Sequence, residues 1–394
     1  MRRLATWISA AAVVGMTATT AFGEEKPPEK PKTLLEEIVL FAYIENSAVF
    51  NLNGTGRGDV NELRFYDLDG GYTFNMAEFS AKKDPSDRYP FGFGVVVTAG
   101  LDAQKNHALG IFRDKDDTFP FRNTSAFDLQ EAYGAYKIPL GSGLTVKAGK
   151  FVTLLGYEVI ESPNNLNFSR SFLFAFAIPL THVGGLLSYS FGEWLTVTAG
   201  PVVGWDVAQD NNDAFSVTGQ FALTPFKDFT ASLNWITGPE QASNDNHNRT
   251  VLDFVVNYTA IKNVTLGLNM DFGFEDKEPS IAGTRKDADA TWWGIAGYGA
   301  YDWTEKLRTA ARVEYFSDPE SVRTAPIGRS PGNRTSLWET TGTVQYKIWK
   351  GLVGRLEYRH DEANEKVFKL RDHGTTPTAK NQDTFTVALY YSFF

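Results

Sequence analysis

The chain has 394 residues, no cysteine, 14% aromatic residues and a formal net charge of −9 at pH 7. Without cysteine there is no disulfide framework, thiolate zinc site or thiol catalysis, and the acidic balance argues against a nucleic-acid partner, which calls for a basic patch. A mean hydropathy of −0.26 with 22% charged residues excludes a bundle of membrane-spanning helices, each of which needs about 20 apolar residues in a row.

Residues 1–23 open with Arg2 and Arg3, run apolar from Leu4 to Met16, and end in small residues before Glu24. That three-part order is a secretory signal peptide, cut off on export through the periplasm of a Gram-negative bacterium. Residues 24–37 form a Pro- and charge-rich linker, too polar to pack and too short to be a plug domain.

From Ile38 the pattern has period two. Val264, Leu266, Leu268, Met270 and Phe272 share one parity, while Thr265, Asn269 and Asp271 share the other. Such alternation predicts strands with one apolar and one polar face. Strands are expected near 38–50, 71–82, 90–101, 125–137, 143–151, 182–191, 194–205 and 214–224. The rest follow near 228–237, 249–259, 263–274, 289–301, 306–316, 335–349, 351–360 and 383–394.

Short connections such as Pro139–Gly143 and Asp302–Glu305 alternate with long polar ones such as 152–182 and 317–334. Short periplasmic turns opposite long external loops mark an outer-membrane barrel. The expected fold is therefore all-β: a transmembrane antiparallel up-and-down β-barrel over 38–394, with about 16 strands and 14 as the alternative.

Tryptophan bears on the same point. Trp194, Trp303 and Trp349 lie beside short turns, and Trp205 and Trp235 lie near long ones. Trp194 and Trp205 are eleven steps apart, a rise of roughly 26 Å on a strand tilted near 45°. The apolar band of such barrels is about 25 Å tall, with aromatic girdles at both edges. All five are girdle candidates. The last strand carries Phe385, Val387, Leu389, Tyr391 and Phe393 on one parity and ends Phe393-Phe394. An aromatic last strand is the signal expected by the barrel-assembly machinery.

One stretch is more specific. It reads Gly149-Lys150-Phe151, Gly156-Tyr157-Glu158, Glu161-Ser162-Pro163, Asn167-Phe168-Ser169-Arg170-Ser171, Ile178-Pro179 and Thr181-His182-Val183-Gly184. With Phe74-Asn75, Ala77-Glu78 and Gln130-Glu131-Ala132-Tyr133, this resembles the OmpL-like β-barrel porin family of bacterial outer-membrane proteins. The resemblance covers nearly the whole mature chain and implies a pore, without naming a solute.

A barrel of this size leaves an aqueous channel. Inward parity makes Arg308, Arg312, Arg355, Arg359 and Lys147 candidate lining cations, with Glu314 and Glu357 among the matching acids. The signs nearly balance, which sets no anion or cation preference. Loop 152–182 holds an apolar island at Phe172, Phe174 and Phe176, beside Arg170, Glu158 and Glu161. Such an island avoids water, so the loop is expected to fold into the barrel mouth as a constriction, or else to lie over it as a lid or form an extra strand pair. In the first case Gly92, Gly94 and Gly100 would leave it room, and its acids would face the arginine wall.

These features point to a porin passing small hydrophilic solutes or ions. The rivals are a surface receptor, adhesin or structural barrel, and less favoured, an outer-membrane hydrolase. The histidines, among them adjacent His360-Asp361 and Asp372-His373, lack the base-and-nucleophile arrangement that hydrolysis needs. Acidic clusters such as Asp210–Asp213 read as solvated surface. No cofactor or metal is expected. Expected partners are outer-membrane lipid and lipopolysaccharide, the assembly machinery at the C-terminal strand, and further copies of the chain in a homotrimer.

Overall fold

In a computed structural model, residues 33–54, 71–112, 125–278, 288–324, 334–370 and 377–393 are described. The signal segment, most of the linker and Phe394 lie outside these residues. The described chain closes into one barrel of 16 antiparallel strands in sequence order.

The first eight strands are β1 (Val39–Asn51), β2 (Gly71–Lys83), β3 (Phe91–Ala99), β4 (Phe127–Ile138), β5 (Leu144–Val152), β6 (Thr181–Ser190), β7 (Leu195–Val202) and β8 (Ser216–Phe226). The second eight are β9 (Phe229–Pro239), β10 (Asn248–Tyr258), β11 (Val264–Glu278), β12 (Ala288–Asp302), β13 (Leu307–Asp318), β14 (Thr335–Trp349), β15 (Leu352–Ala363) and β16 (Asn381–Ser392). β1 pairs with β16 from Tyr43↔Ser392 to Asn51↔Thr384, so no sheet edge is left open to lipid. The only α-helix among the described residues is a short turn, α1 (Leu101–Lys105).

Alternation shows directly in burial. Along β14, Leu337, Glu339, Thr341 and Thr343 are buried, while Trp338, Thr340, Gly342 and Val344 are exposed. The lipid-facing wall is thus apolar and the inner wall polar, because the outward side chains meet hydrocarbon. Tight turns close one end. At Lys350-Gly351, Gly351 has φ +80°, a conformation a residue with a Cβ adopts only with strain. Trp194, Trp303 and Trp349 are exposed at that end, as a girdle position requires. Trp235 points outward at the other end, tilted against Phe221 at 5.2 Å.

Trp205 departs from the expected girdle. β7 stops at Val202, and the chain turns back at Asp206, whose φ is +54°. Trp205 therefore swings inward and is buried, edge-on to Trp292 at 6.4 Å. Its spacing from Trp194 does not measure the membrane.

Candidate functional site: the loop inside the barrel

The connection between β5 and β6, residues 153–180, lies within the barrel. Its Leu155, Phe168, Phe172, Leu173 and Phe176 share one buried cluster with Val202, Ile236, Val251, Trp292 and Phe316 of the wall and rim. Phe174, Ile160 and Leu180 form a second cluster with Tyr43, Met76 and Ala103. Residues Leu173–Ala177 make one turn of π-helix, all of it buried. The barrel thus has an apolar core inside its polar wall.

A loop in that position carries peptide groups with no strand neighbour, and buried peptide groups need partners. The charged wall and its rim supply them by sign. Carboxylates take the N–H groups: Glu314 accepts from Phe172 and Leu173 at 2.7 and 2.6 Å, and Glu357 from Phe168 and Ser169 at 2.6 and 2.9 Å. Asp253 accepts from Gly156 at 2.8 Å, and Asp206 from Leu180 and Thr181 at 2.7 and 3.0 Å. Guanidinium groups take the carbonyls: Arg312 donates to Ser169 O at 2.7 Å and Arg359 to Arg170 O at 2.6 Å. Arg355 donates to Ser162 O at 3.0 Å and Asn165 O at 2.9 Å.

The same arginines compensate acids. Arg312 contacts Glu158 of the loop at 2.6 Å and Glu339 of β14 at 2.5 Å. Arg359 contacts Asp361 at 2.6 Å and lies 3.5 Å from Glu339, with its guanidinium 4.7 Å from the Phe172 ring. Arg170 of the loop donates to Phe168 O and Ile160 O at 2.6 and 2.5 Å, fixing the loop to itself.

Two proposed wall cations stand apart from this network. Arg308 pairs with Asp302 at 2.7 Å near the short-turn end, and the Lys147 ammonium sits 4.4 Å above the Tyr133 ring. Three of the four clustered arginines are gathered at the loop, and they lie against its backbone rather than against an open lumen.

Two further expectations are corrected. Glu161 faces β4, accepting from Gln130 Nε2 at 2.7 Å, and not the arginine wall. The glycines on β3 and just after it do not make room for the island either. A Cβ on Gly94 would meet the Tyr133 ring at 2.4 Å, on Gly92 the Pro85 ring at 2.5 Å, and on Gly100 the Asn75 carbonyl at 2.4 Å. The clearance lies on β11 and β12, where a Cβ on Gly267 would meet Tyr157 at 2.4 Å and one on Gly294 would meet Leu173 at 2.5 Å. Nearby, Trp292 Nε1 donates to Ala177 O at 3.1 Å.

Asp206 and Glu240 had no signal in the sequence, since both lie in connections and act through backbone N–H groups. Glu240 accepts from Trp205 N–H at 2.7 Å and from the Ser216 hydroxyl at 2.6 Å. Burial pushes its carboxyl from the usual 4.5 up to about 7, against the pull of Arg249 and these two hydrogen bonds, with Glu275 pushing upward as well. A carboxyl that holds its proton longer in the folded state gives most stability below about 4.5, and that contribution is lost as pH rises through about 7. Glu240→Gln is expected to flatten the fall in unfolding midpoint between roughly pH 5 and pH 8. Midpoints from heat-dependent gel mobility check this, and parallel slopes for the two proteins would refute it.

Among curated proteins, none matches this chain in sequence. Solved structures do match in fold. OmpF of Salmonella typhi, in complex with daunomycin, superposes with a TM-score of 0.59 at 13% identity, over 90% of this chain and 97% of that one. An anion-selective porin from Comamonas acidovorans gives 0.58 at 9% identity, over 90% and 99%. The outer membrane channel DcaP of Acinetobacter baumannii gives 0.58 at 10% identity, over 90% and 97%. Residues 38–393 match the family described as "Putative beta-barrel porin-2, OmpL-like". With a closed barrel of 16 strands and a match across nearly its whole length, the chain belongs to this OmpL-like family of outer-membrane β-barrel porins.

Proposed function

We propose that the chain is a diffusion channel for small hydrophilic solutes or ions across the bacterial outer membrane, with the 153–180 loop setting the passage. The observation that carries this reading is the loop itself, held inside a porin-type barrel by Arg312, Arg355, Arg359, Glu314 and Glu357. Those residues act as its anchors. Phe172, Phe174 and Phe176 narrow the lumen, while Arg308 and Lys147 face the space toward the short turns. The reading is of a channel and not of an enzyme.

Export by residues 1–23, insertion through the assembly machinery by the last strand, and contact with lipopolysaccharide belong to the same proposal. So does a homotrimer, the state recorded for the fold neighbour OmpT of Vibrio cholerae in its trimer form.

A structural or receptor barrel is the second reading. The apolar core within the lumen favours it, since such a core narrows any passage. Planar-bilayer recording of purified protein decides between them. The channel reading expects discrete conductance steps, and reversal potentials in a salt gradient give the ion preference. Folded protein that inserts and never conducts would overturn it in favour of the second.

A further inference from the structure

The wall of β1–β4 carries a row of buried oxygens without hydrogen-bond partners. Tyr43 stands opposite Glu78 in the β1–β2 register, and Glu78 opposite Thr98 in the β2–β3 register. Directly opposed residues have Cβ atoms about 5 Å apart, so these three form a line across the inner wall. On β4 the residue opposite Thr98 is Asp128, which holds the Lys150 ammonium at 3.5 Å, and Gln130 follows at the register shift after Val96. Tyr43, Glu78, Thr98 and Gln130 are all more than nine-tenths buried. Tyr43 Oη, Glu78 Oε2, Thr98 Oγ1 and Gln130 Oε1 nevertheless have no hydrogen-bond partner.

The loop lays a second carboxylate on this row. Glu161 Oε1 accepts from Gln130 Nε2 of β4 at 2.7 Å, and the next residue, Ser162, donates to Glu45 of β1 at 2.6 Å, so the loop crosses the row between β1 and β4. Glu161 is half-buried, which leaves the row a way to solvent. The Lys82 ammonium is engaged elsewhere, 2.5 Å from Glu131. Glu45 uses one oxygen for the Ser162 hydroxyl, and its Oε2 is buried without a hydrogen-bond partner. Arg170 donates to loop carbonyls.

Two carboxylates brought to one buried row repel one another, and each unanswered polar group there is destabilising. A cation or a shared proton resolves both. We propose that Glu78, Glu161, Gln130 and Thr98 form a binding site for a hard divalent cation of the calcium or magnesium class. An all-oxygen donor set suits these ions and not zinc or copper. Among the described residues, no three or more His, Cys, Asp or Glu gather as a metal-ligand set; this site takes half of its protein donors from an amide and a hydroxyl. Two carboxylates with water in the remaining positions place the dissociation constant at about 10⁻⁴–10⁻³ M, the range of extracellular calcium modules. A bound ion would pin the loop to β2–β4.

The test is calcium titration of the full mature chain, folded in detergent micelles, with fold checked by heat-dependent gel mobility. Wild type is expected to show a site in the stated range that Glu78→Gln weakens at least tenfold. Unchanged binding in folded Glu78→Gln, or no saturable binding by wild type, overturns the proposal; a shared proton would give that result. Should Glu78→Gln not fold, Thr98→Val decides, because it keeps the shape and removes one donor. Weakened binding there supports the site, and equal binding overturns it. The readout is independent of conduction, so its failure leaves the channel reading standing.

Discussion

Replacing residues 160–176 by a short Gly-Ser bridge is expected to raise single-channel conductance at least about twofold. Sixteen strands about 4.8 Å apart and tilted about 40° close at a backbone diameter of roughly 32 Å. An unfilled barrel of that width is a wide aqueous channel. The segment removed includes Phe168, Phe172, Leu173 and Phe176, which share a buried cluster with inner-wall residues of β10, β12 and β13. Its removal opens that cross-section and returns Glu314 and Glu357 to water. Bilayer recordings of the two proteins in the same salt check this. Equal conductance would mean that the passage runs elsewhere, and the loop would lose its proposed role.

Arg312→Met carries the largest expected loss of stability, about 3–5 kcal/mol. The guanidinium is fully buried and serves Glu158, Glu339 and the Ser169 carbonyl at once. Methionine fills much of the volume and leaves both acids without their closest cation. Arg359 still lies 3.5 Å from Glu339, so the uncompensated charge concentrates on Glu158. Pairing the change with Glu158→Gln is expected to recover part of the loss, since the two positions are in contact and their effects are not additive. Urea unfolding followed by tryptophan fluorescence measures both variants. A single substitution within about 0.5 kcal/mol of wild type would show that the loop is held by its apolar contacts alone.

The strands were legible because lipid imposes period two on every one of them. Val264 to Phe272 shows it on the sequence alone. The apolar island was legible as something that must be covered, since Phe172, Phe174 and Phe176 have no place in open water. What covers it was not. Inward parity marks Arg312 and Glu314 as facing the interior, but the same parity serves a solvated wall and a wall bonded to a loop. The docking face was also hidden, because the clearance comes from Gly267 and Gly294, which lie 91 and 118 residues beyond Phe176. Trp205 misled for a local reason: spacing along a strand assumes the strand continues, and this one ends at Val202.

The loop's anchors are remote in sequence. Phe168 bonds Glu357 across 189 residues, and Arg312 reaches Glu158 across 154. Docking must therefore wait until β13 and β15 have been delivered, nearly at the end of the chain. The strand that seals the ring against β1 is the very last. Until then the apolar island and the inner-wall charges face each other without a closed wall around them, and contacts this distant form slowly. Filling the barrel and closing it become one late event, in which the ring tightens around its own contents. A chain truncated before β15 would lack both the seal and half of the grip, and would remain exposed to chaperones and proteases as a single unfinished species.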